Sequence, residues 1–136
     1  MTRAADSSVT IAALLGDHPA HDAAAAALAA CKQTIAHVAA ETYSVLTRLP
    51  APSRADATTA VKALDERLPS RYVALDAAGH AKALSRLAQA GIDGGATYDG
   101  LIALTALEHD LELVSRDRRA ARSYRALGVR FTLLER

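Results

Sequence analysis

Four acidic residues in this sequence occupy positions from which they could hold a divalent metal ion together. They are Asp6, Glu41, Asp99 and Asp117. Two carboxylates about 4 Å apart repel each other by about 4 kcal/mol at an effective dielectric constant of about 20. A group of such carboxylates therefore takes up protons or binds a cation. Because all the ligands are oxygen atoms, Mg²⁺ or Mn²⁺ would suit the site better than zinc.

Each of the four acids also has a simpler explanation. Asp6 and Asp117 stand where they could cap a helix, and Asp99 lies in the first turn of a predicted helix, where a negative charge is favourable. Glu41 flanks the apolar stripe of its helix and could pair with an arginine. On this interpretation the chain is a binding module whose acids only cap helices. The metal interpretation requires that all four acids meet at one place in the fold.

Short β-like runs alternate with helical segments, singly or in pairs, along the whole sequence. The predicted strands cover residues 2–5, 33–36, 71–75, 111–115 and 129–133. This alternation predicts an α/β fold whose mainly parallel sheet is covered by helices on both faces. In such sheets ligands bind outside the carboxyl ends of the strands. Asp6 and Asp117 directly follow two of the strands, so we expect them at that edge.

Local signals predict the starts of two further helices. Asp17-His18-Pro19 resembles a cap with proline in the first turn of a helix that runs to Ala30. Ser53 and Asp56 together resemble a capping box for the helix that ends near Leu68. Both helices precede the third predicted strand.

Length and composition bound the class of protein. At 136 residues, with 51% hydrophobic residues and a net charge of +1, the chain fits one soluble domain. It contains no apolar run of about 18 residues that could span a membrane, and its first residues lack the apolar stretch of a signal peptide. A lone cysteine, Cys31, excludes an internal disulfide and argues against a thiolate metal site. We therefore expect a cytoplasmic protein without membrane contact.

The small net charge hides an uneven distribution of charge along the chain. Residues 116–136 contain seven arginines and two acidic residues, whereas the preceding residues contain nine basic and thirteen acidic residues. A basic end beside clustered acids could serve a polyanion that is handled through metal ions. The alternative is a solvated basic face of the last helix, and charge alone does not decide between the two.

Several segments of the chain resemble the PIN-domain ribonucleases, and among them the VapC-type toxins of bacterial toxin–antitoxin pairs. In chain order they are ADSSV at 5–9, AALL at 12–15, HPAH at 18–21, AETYSVLTRLP at 40–50, YDGLIA at 98–103 and LVSRDRR at 113–119. Together they span nearly the whole sequence. The chain departs from the family in its weakly apolar first strand, and in Asp110, which stands where a glycine often ends the helix.

The resemblance implies one PIN-like domain over residues 1–136, a three-layer α/β/α fold with a short, mainly parallel five-stranded sheet. It also implies a metal-dependent endoribonuclease in which Mg²⁺ or Mn²⁺ is held by catalytic acids. By resemblance these are the quartet Asp6, Glu41, Asp99 and Asp117, of which Glu41 acts through water or orients the nucleophile. The small hydroxyl residues that support such a site correspond to Ser7 and Ser115.

The partners implied are an RNA substrate and a cognate antitoxin, in a homodimer and a higher toxin–antitoxin assembly. The arginines expected to contact RNA phosphates are Arg116, Arg118, Arg119 and Arg122. Two alternatives to a toxin keep an enzymatic role. One is a PIN nuclease of RNA processing that has no antitoxin. The other is an α/β phosphatase with Asp6 as nucleophile, against which stands Ser8, where such phosphatases generally carry a second aspartate.

Overall fold

The computed structural model describes residues 1–135, which form five short strands and seven helices. The strands are β1 (Arg3–Ala5), β2 (Thr34–Ile35), β3 (Tyr72–Val73), β4 (Glu112–Ser115) and β5 (Phe131–Leu133). The helices are α1 (Ser7–Leu14), α2 (His21–Ala29), α3 (Ala36–Arg48), α4 (Ala57–Arg67), α5 (Ala77–Gln89), α6 (Ala96–Glu108) and α7 (Arg118–Leu127). The predicted α/β class is confirmed. Every predicted strand is present, and each is shorter than expected. Within residues 1–135, no helix has the length and apolar character needed to cross a membrane.

All strand pairs are parallel, and their order brings two of the predicted acids together. β4 lies between β1 and β5, while β2 and β3 form a separate pair, so the five predicted strands form two hydrogen-bonded sheets and not the single five-stranded sheet expected. The two sets meet where the Lys32 backbone N–H donates to the Arg3 carbonyl at 3.2 Å. In the β1–β4 register Ala5 lies opposite Val114. The residues that follow β1 and β4 therefore leave the sheet at the same edge.

The sheet is covered on both faces, as the sequence predicted. Successive side chains of a strand point to opposite faces, and in β4 Leu113 and Val114 belong to two different apolar clusters. Leu113 packs with residues of α5, α6 and α7, of which Ile102 is fully buried. Val114 packs with residues of α1, α2 and α4 such as Val9. Helices on both sides of β4 hold its carboxyl end in a fixed position.

Two predicted helix starts were wrong in detail. The capping box is not formed, because Asp56 itself is the N-cap of α4 and accepts a hydrogen bond from the Thr59 backbone N–H at 2.8 Å. Ser53 lies instead in a turn in which its N–H donates to the Pro50 carbonyl at 3.0 Å. Likewise α2 begins at His21, beyond the predicted cap, and its N-cap makes no side-chain hydrogen bond.

Asp110, one departure from the family pattern, ends α6 as expected for a residue that replaces glycine. Its φ is 52°, in the left-handed region that aspartate tolerates better than most residues.

Gly100 allows α5 to approach α6 closely. A Cβ atom at this position would lie 2.3 Å from Cδ2 of Leu87, so only glycine fits without movement of that buried side chain.

A buried pair of hydroxyl groups joins α1 to α3. The Oγ1 atoms of Thr10 and Thr42 are 2.6 Å apart, and both residues are buried. Each hydroxyl also has a carbonyl acceptor within its own chain segment, Val38 for Thr42 at 2.7 Å and Ser7 for Thr10 at 3.2 Å, and either threonine can donate to the other. This bond fixes the position of the α3 helix, which carries Glu41, relative to the α1 helix, which follows Asp6.

The Thr10–Thr42 bond should be measurable by a double-mutant cycle. We expect Thr10→Val and Thr42→Val each to lower the free energy of unfolding by about 1 kcal/mol, because each removes the same buried hydrogen bond. The double variant should lose much less than the sum of the two, since the bond can be lost only once. Urea denaturation followed by circular dichroism measures all four proteins. Strictly additive losses would contradict the coupling.

Candidate active site

Asp6 is the most deeply buried of the four acids, with 2% of its surface exposed. It is the N-cap of α1, and its Oδ1 atom accepts from the Ser8 backbone N–H at 3.1 Å and from the Ser8 hydroxyl at 2.5 Å. Its Oδ2 atom accepts from the hydroxyl of Tyr124 in α7 at 2.7 Å. Burial raises the pKa of Asp6 above its ordinary value, and the hydrogen bonds to the carboxylate partly oppose this rise.

Ser8 connects the start of α1 to the end of β4. Its hydroxyl oxygen accepts from the Arg116 backbone N–H at 2.8 Å and lies 3.4 Å from the Ser115 hydroxyl. Ser115 in turn accepts from the Asp117 backbone N–H at 3.0 Å. Ser7 and Ser115 were the predicted supporting hydroxyl residues, and Ser8 was not among them. An aspartate cap followed two residues later by serine was the signal that could have identified it.

Asp117 is the N-cap of α7, so the interpretation that it caps a helix is correct. Its Oδ1 atom accepts from the backbone N–H groups of Arg119 at 2.8 Å and Ala120 at 3.3 Å. Both of these bonds end on one oxygen atom. A carboxylate has two oxygens with about four lone pairs in total, so capping a helix leaves Asp117 able to bind a further partner.

Asp99 lies in the first turn of α6, and the charges of the other three acids contribute to its pKa. Burial, followed by the negative charges of the other three members of the quartet, raises its pKa to about 6. Three separate charges can act on one carboxyl group in this way only if all four lie in the same region. The structure therefore brings the predicted quartet together, on β1–α1, α3, α6 and β4–α7.

Glu41 faces this region from α3 and is about one-third exposed. The Ser7 hydroxyl donates to its Oε1 atom at 3.3 Å, so Ser7 contacts Glu41 rather than Asp6. His37, one helical turn earlier, places its Nε2 atom 3.8 Å from the same oxygen. His37 was also overlooked in the sequence, although its spacing of four residues from Glu41 puts both on one face of the helix.

The donor set fits a hard divalent cation, because it consists of carboxylate oxygens alone. Across residues 1–135, however, no three acidic, histidine or cysteine side chains are close enough together to share one ion as they stand. The quartet is thus near enough for mutual repulsion to shift a pKa, but it is not closed around a point. Sharing one ion among three of these carboxylates would therefore require side-chain movement.

The four predicted RNA-contacting arginines divide into two groups. Arg116 and Arg118 line a cleft of about 860 Å³ beside α7, together with Arg125, which the sequence interpretation did not include. Arg119 and Arg122 are exposed on the same helix and do not line this cleft. Arg125 lies seven residues after Arg118, hence on the same helical face, and its guanidinium is 5.3 Å from the centre of the Phe131 ring.

Comparison with known proteins gives consistent results for sequence and structure. A model of the PIN domain family matches residues 4–126. Ribonuclease VapC40 of Mycobacterium tuberculosis is 41% identical over 131 residues, which cover 96% of this chain and 98% of that protein. Ribonuclease VapC27 of the same organism is 44% identical over 128 residues, which cover 93% of this chain and 92% of that protein.

Two solved structures share the fold at lower sequence identity. The sarcin–ricin loop cleaving toxin VapC20 of Mycobacterium tuberculosis superimposes with a TM-score of 0.70 at 20% identity, over 88% of this chain and 93% of that chain. FitAcB from Neisseria gonorrhoeae gives a TM-score of 0.64 at 20% identity, over 96% of both chains. At this level of identity the similarity concerns the fold alone.

Removing the Tyr124 hydroxyl should test its bond to Asp6. We expect Tyr124→Phe to lower the free energy of unfolding by about 1–3 kcal/mol, because the buried carboxylate loses a donor while the ring keeps its packing. Thermal and urea denaturation at neutral pH measure the loss. Tyr72→Phe is the matched control, since Tyr72 is 48% exposed, and it should change stability by no more than about 0.5 kcal/mol. Equal effects of the two substitutions would argue against the bond.

The raised pKa of Asp99 predicts how stability depends on pH in the absence of divalent ions. The pKa is higher in the folded state, about 6, than the ordinary value of 3.8, so the folded protein binds more protons in this interval. Ionised Asp99 therefore destabilises the fold increasingly as pH rises through this interval, and fully above it.

The neutral variant Asp99→Asn should remove this destabilisation. In EDTA at about pH 7.5 we expect its melting temperature to exceed that of the wild type by about 2–4 °C. The difference should shrink towards about pH 4, where the wild-type carboxyl is protonated as well. A difference that does not change with pH would contradict the repulsion within the quartet.

Proposed function

The chain belongs to the PIN domain family, within its VapC-type branch, and from this premise we propose that it is a metal-dependent endoribonuclease and the toxin of a toxin–antitoxin pair. The observation that carries the proposal is that Asp6 and Asp117 follow β1 and β4 at one edge of the sheet, with Glu41 linked to that edge through Ser7. Burial, and then the charges of these three acids, raise the pKa of the fourth, Asp99. Support comes from relatives named ribonucleases that align over nearly the whole chain.

We assign the catalytic role and the binding of Mg²⁺ or Mn²⁺ to the quartet. Asp99 and Asp117 are partly exposed, and Asp117 uses only Oδ1 for its cap, so both have oxygen atoms available for an ion. Asp6 is held rigidly by its three donors and would contribute through a remaining lone pair. Glu41, held by Ser7, would act through water or orient the attacking water.

A divalent ion bound here would lower the pKa of a water molecule and neutralise negative charge on the phosphate. The remaining residues would position the substrate. Arg116 and Arg118, which lie on either side of Asp117 and line the adjacent cleft, would bind phosphates of the RNA backbone, with Arg125 extending this surface. Arg119 and Arg122 would contribute a weaker, more distant attraction.

The proposed partners follow from the VapC-type branch. The antitoxin would cover the helices between Ser8 and Leu49 and insert a basic side chain among the acids, which would offset the repulsion within the quartet. A homodimer and a larger toxin–antitoxin assembly in the cytoplasm complete the proposal. A PIN nuclease without an antitoxin would cleave RNA by the same residues, so biochemical activity alone does not separate the two.

Cleavage of RNA by the purified protein tests the catalytic assignment. We expect hydrolysis of single-stranded RNA in Mn²⁺ or Mg²⁺ and none in EDTA. Asp99→Asn should lower the rate by at least about a hundredfold, because a ligand that stabilises charge in the transition state is worth several kcal/mol. Asp93→Asn is the matched control, as Asp93 is an exposed acid just before α6 and outside the quartet. Equal activity of both variants, or cleavage in EDTA, would refute the assignment.

Metal binding can be measured without any substrate. In the wild type, Mn²⁺ at about 100 times its dissociation constant should raise the free energy of unfolding by about 2.7 kcal/mol. The rise should be present in Asp93→Asn and greatly reduced in Asp99→Asn. If Mn²⁺ stabilised all three proteins equally, the ion would bind elsewhere.

A further inference from the structure

An exposed aromatic side chain lies beside the acidic quartet and has no part in the function described so far. Tyr98 directly precedes Asp99 in α6 and is 52% exposed. Its ring stacks on that of His37 in α3, with the ring centres 5.4 Å apart and the planes at 6° to each other. The pair thus joins the two helices that carry Asp99 and Glu41.

Core packing does not account for this arrangement. A tyrosine that remains half exposed gains little from the hydrophobic effect, and Tyr98 belongs to neither apolar cluster. The Nε2 atom of His37 is buried and makes no hydrogen bond within residues 1–135, although Oε1 of Glu41 lies 3.8 Å away. His37 nevertheless lies parallel to Tyr98, which fixes the plane of the exposed ring. With one face against His37, the other face of Tyr98 is free to receive a planar ligand.

The chemistry of the surroundings identifies the ligand class. Bases of single-stranded RNA stack on aromatic side chains, and such a contact tolerates any base because every base has a π-face. An apolar protein segment would need a contiguous apolar surface, whereas Tyr98 stacks on His37 and the other large exposed apolar residues lie on other elements.

We propose that Tyr98, backed by His37, is a stacking platform for a base of single-stranded RNA next to the phosphate held at the acidic quartet. This inference rests on the proposed ribonuclease function and adds a subsite to it. His37, on which Tyr98 stacks, places its Nε2 atom 3.8 Å from Oε1 of Glu41, a member of the quartet. A base on Tyr98 would therefore bring its own phosphate into the neighbourhood of the quartet. The platform would hold the substrate in register independently of the arginines.

Binding of a fluorescently labelled single-stranded RNA of about 12 nucleotides, a length within the range that such grooves cover, tests the platform. Fluorescence anisotropy is measured with Ca²⁺ in place of Mn²⁺, so that a divalent cation is available to the quartet, and the length of the RNA is checked after each titration. We expect Tyr98→Leu to weaken binding about tenfold, as the loss of one stacked base predicts. Tyr98→Phe keeps a stacking ring and should stay within about twofold of the wild type. His37→Leu should lose part of the same affinity.

Tyr72→Leu is the matched control, because Tyr72 is similarly exposed but lies on β3 rather than on a helix that carries one of the four acids. It should bind as the wild type does. The dependence of binding on salt should be the same for the wild type and Tyr98→Leu, since no phosphate contact is lost. A set of RNAs with one abasic position each adds a direct readout. One abasic position should weaken wild-type binding without further weakening that of Tyr98→Leu.

Two results would overturn the inference. One is equal affinity of the wild type and Tyr98→Leu. The other is that Tyr98→Leu binds more weakly than the wild type by the same factor for the intact RNA and for every abasic RNA. This result would indicate a general structural effect. Sedimentation velocity of the same variants adds a third outcome, because altered self-association with unchanged RNA binding would assign the ring to a protein contact. If the wild type bound RNA through Tyr98 but did not cleave it with Mn²⁺, the ribonuclease proposal would fail while the platform stood.

Discussion

The mutual repulsion of four carboxylates is the constraint on which the rest of this structure depends. Bringing like charges together at the edge of a sheet opposes folding, and their repulsion adds to burial, the larger cause, in raising the pKa of Asp99. The surrounding elements offset it by donating hydrogen bonds to the charged groups. Asp6 receives three such bonds and Asp117 receives two. Asp6 and Asp99 both have raised pKa values, for which burial is the largest cause, so both take up protons more readily than an ordinary carboxyl group.

Capping a helix and serving a metal site are not competing explanations for these acids. Asp6 and Asp117 are the N-caps of α1 and α7, where unpaired N–H groups and the positive end of the helix dipole stabilise a negative charge. Because β1 and β4 are adjacent and parallel, the two helices start at the same edge of the sheet. The caps thus reduce the electrostatic cost of the cluster, and each fixes its carboxylate in position.

The sequence allowed the fold class and the common position of Asp6 and Asp117 to be predicted, because both follow from local pattern. Strands that alternate with helices imply a parallel sheet, and a parallel sheet places the residues after its strands at one edge. The supporting residues could not be predicted in this way. Tyr124 contacts Asp6 across 118 positions of the chain, and Ser8 reaches Arg116 across 108. Such contacts depend on the packing of α7 against the sheet, which no local signal encodes. The capping-box error had a local origin, since Ser53 and Asp56 are both good caps and a turn took up Ser53.

The carboxylates of the quartet lie near one another without surrounding a single point. Within residues 1–135 no three candidate ligands converge on one point, although the acids are close enough to influence one another's ionisation. Carboxylates without a cation minimise their energy by remaining apart, and only the rigidly bonded Asp6 and Asp117 are held against that tendency. In the proposed function, an ion that relieves the repulsion would gain affinity from the destabilisation present in its absence. A basic side chain from an antitoxin would relieve it too. Stability of the free protein and occupancy of its site are therefore coupled, and a substitution that neutralises Asp99, which caps no helix, should strengthen the fold while it weakens the site.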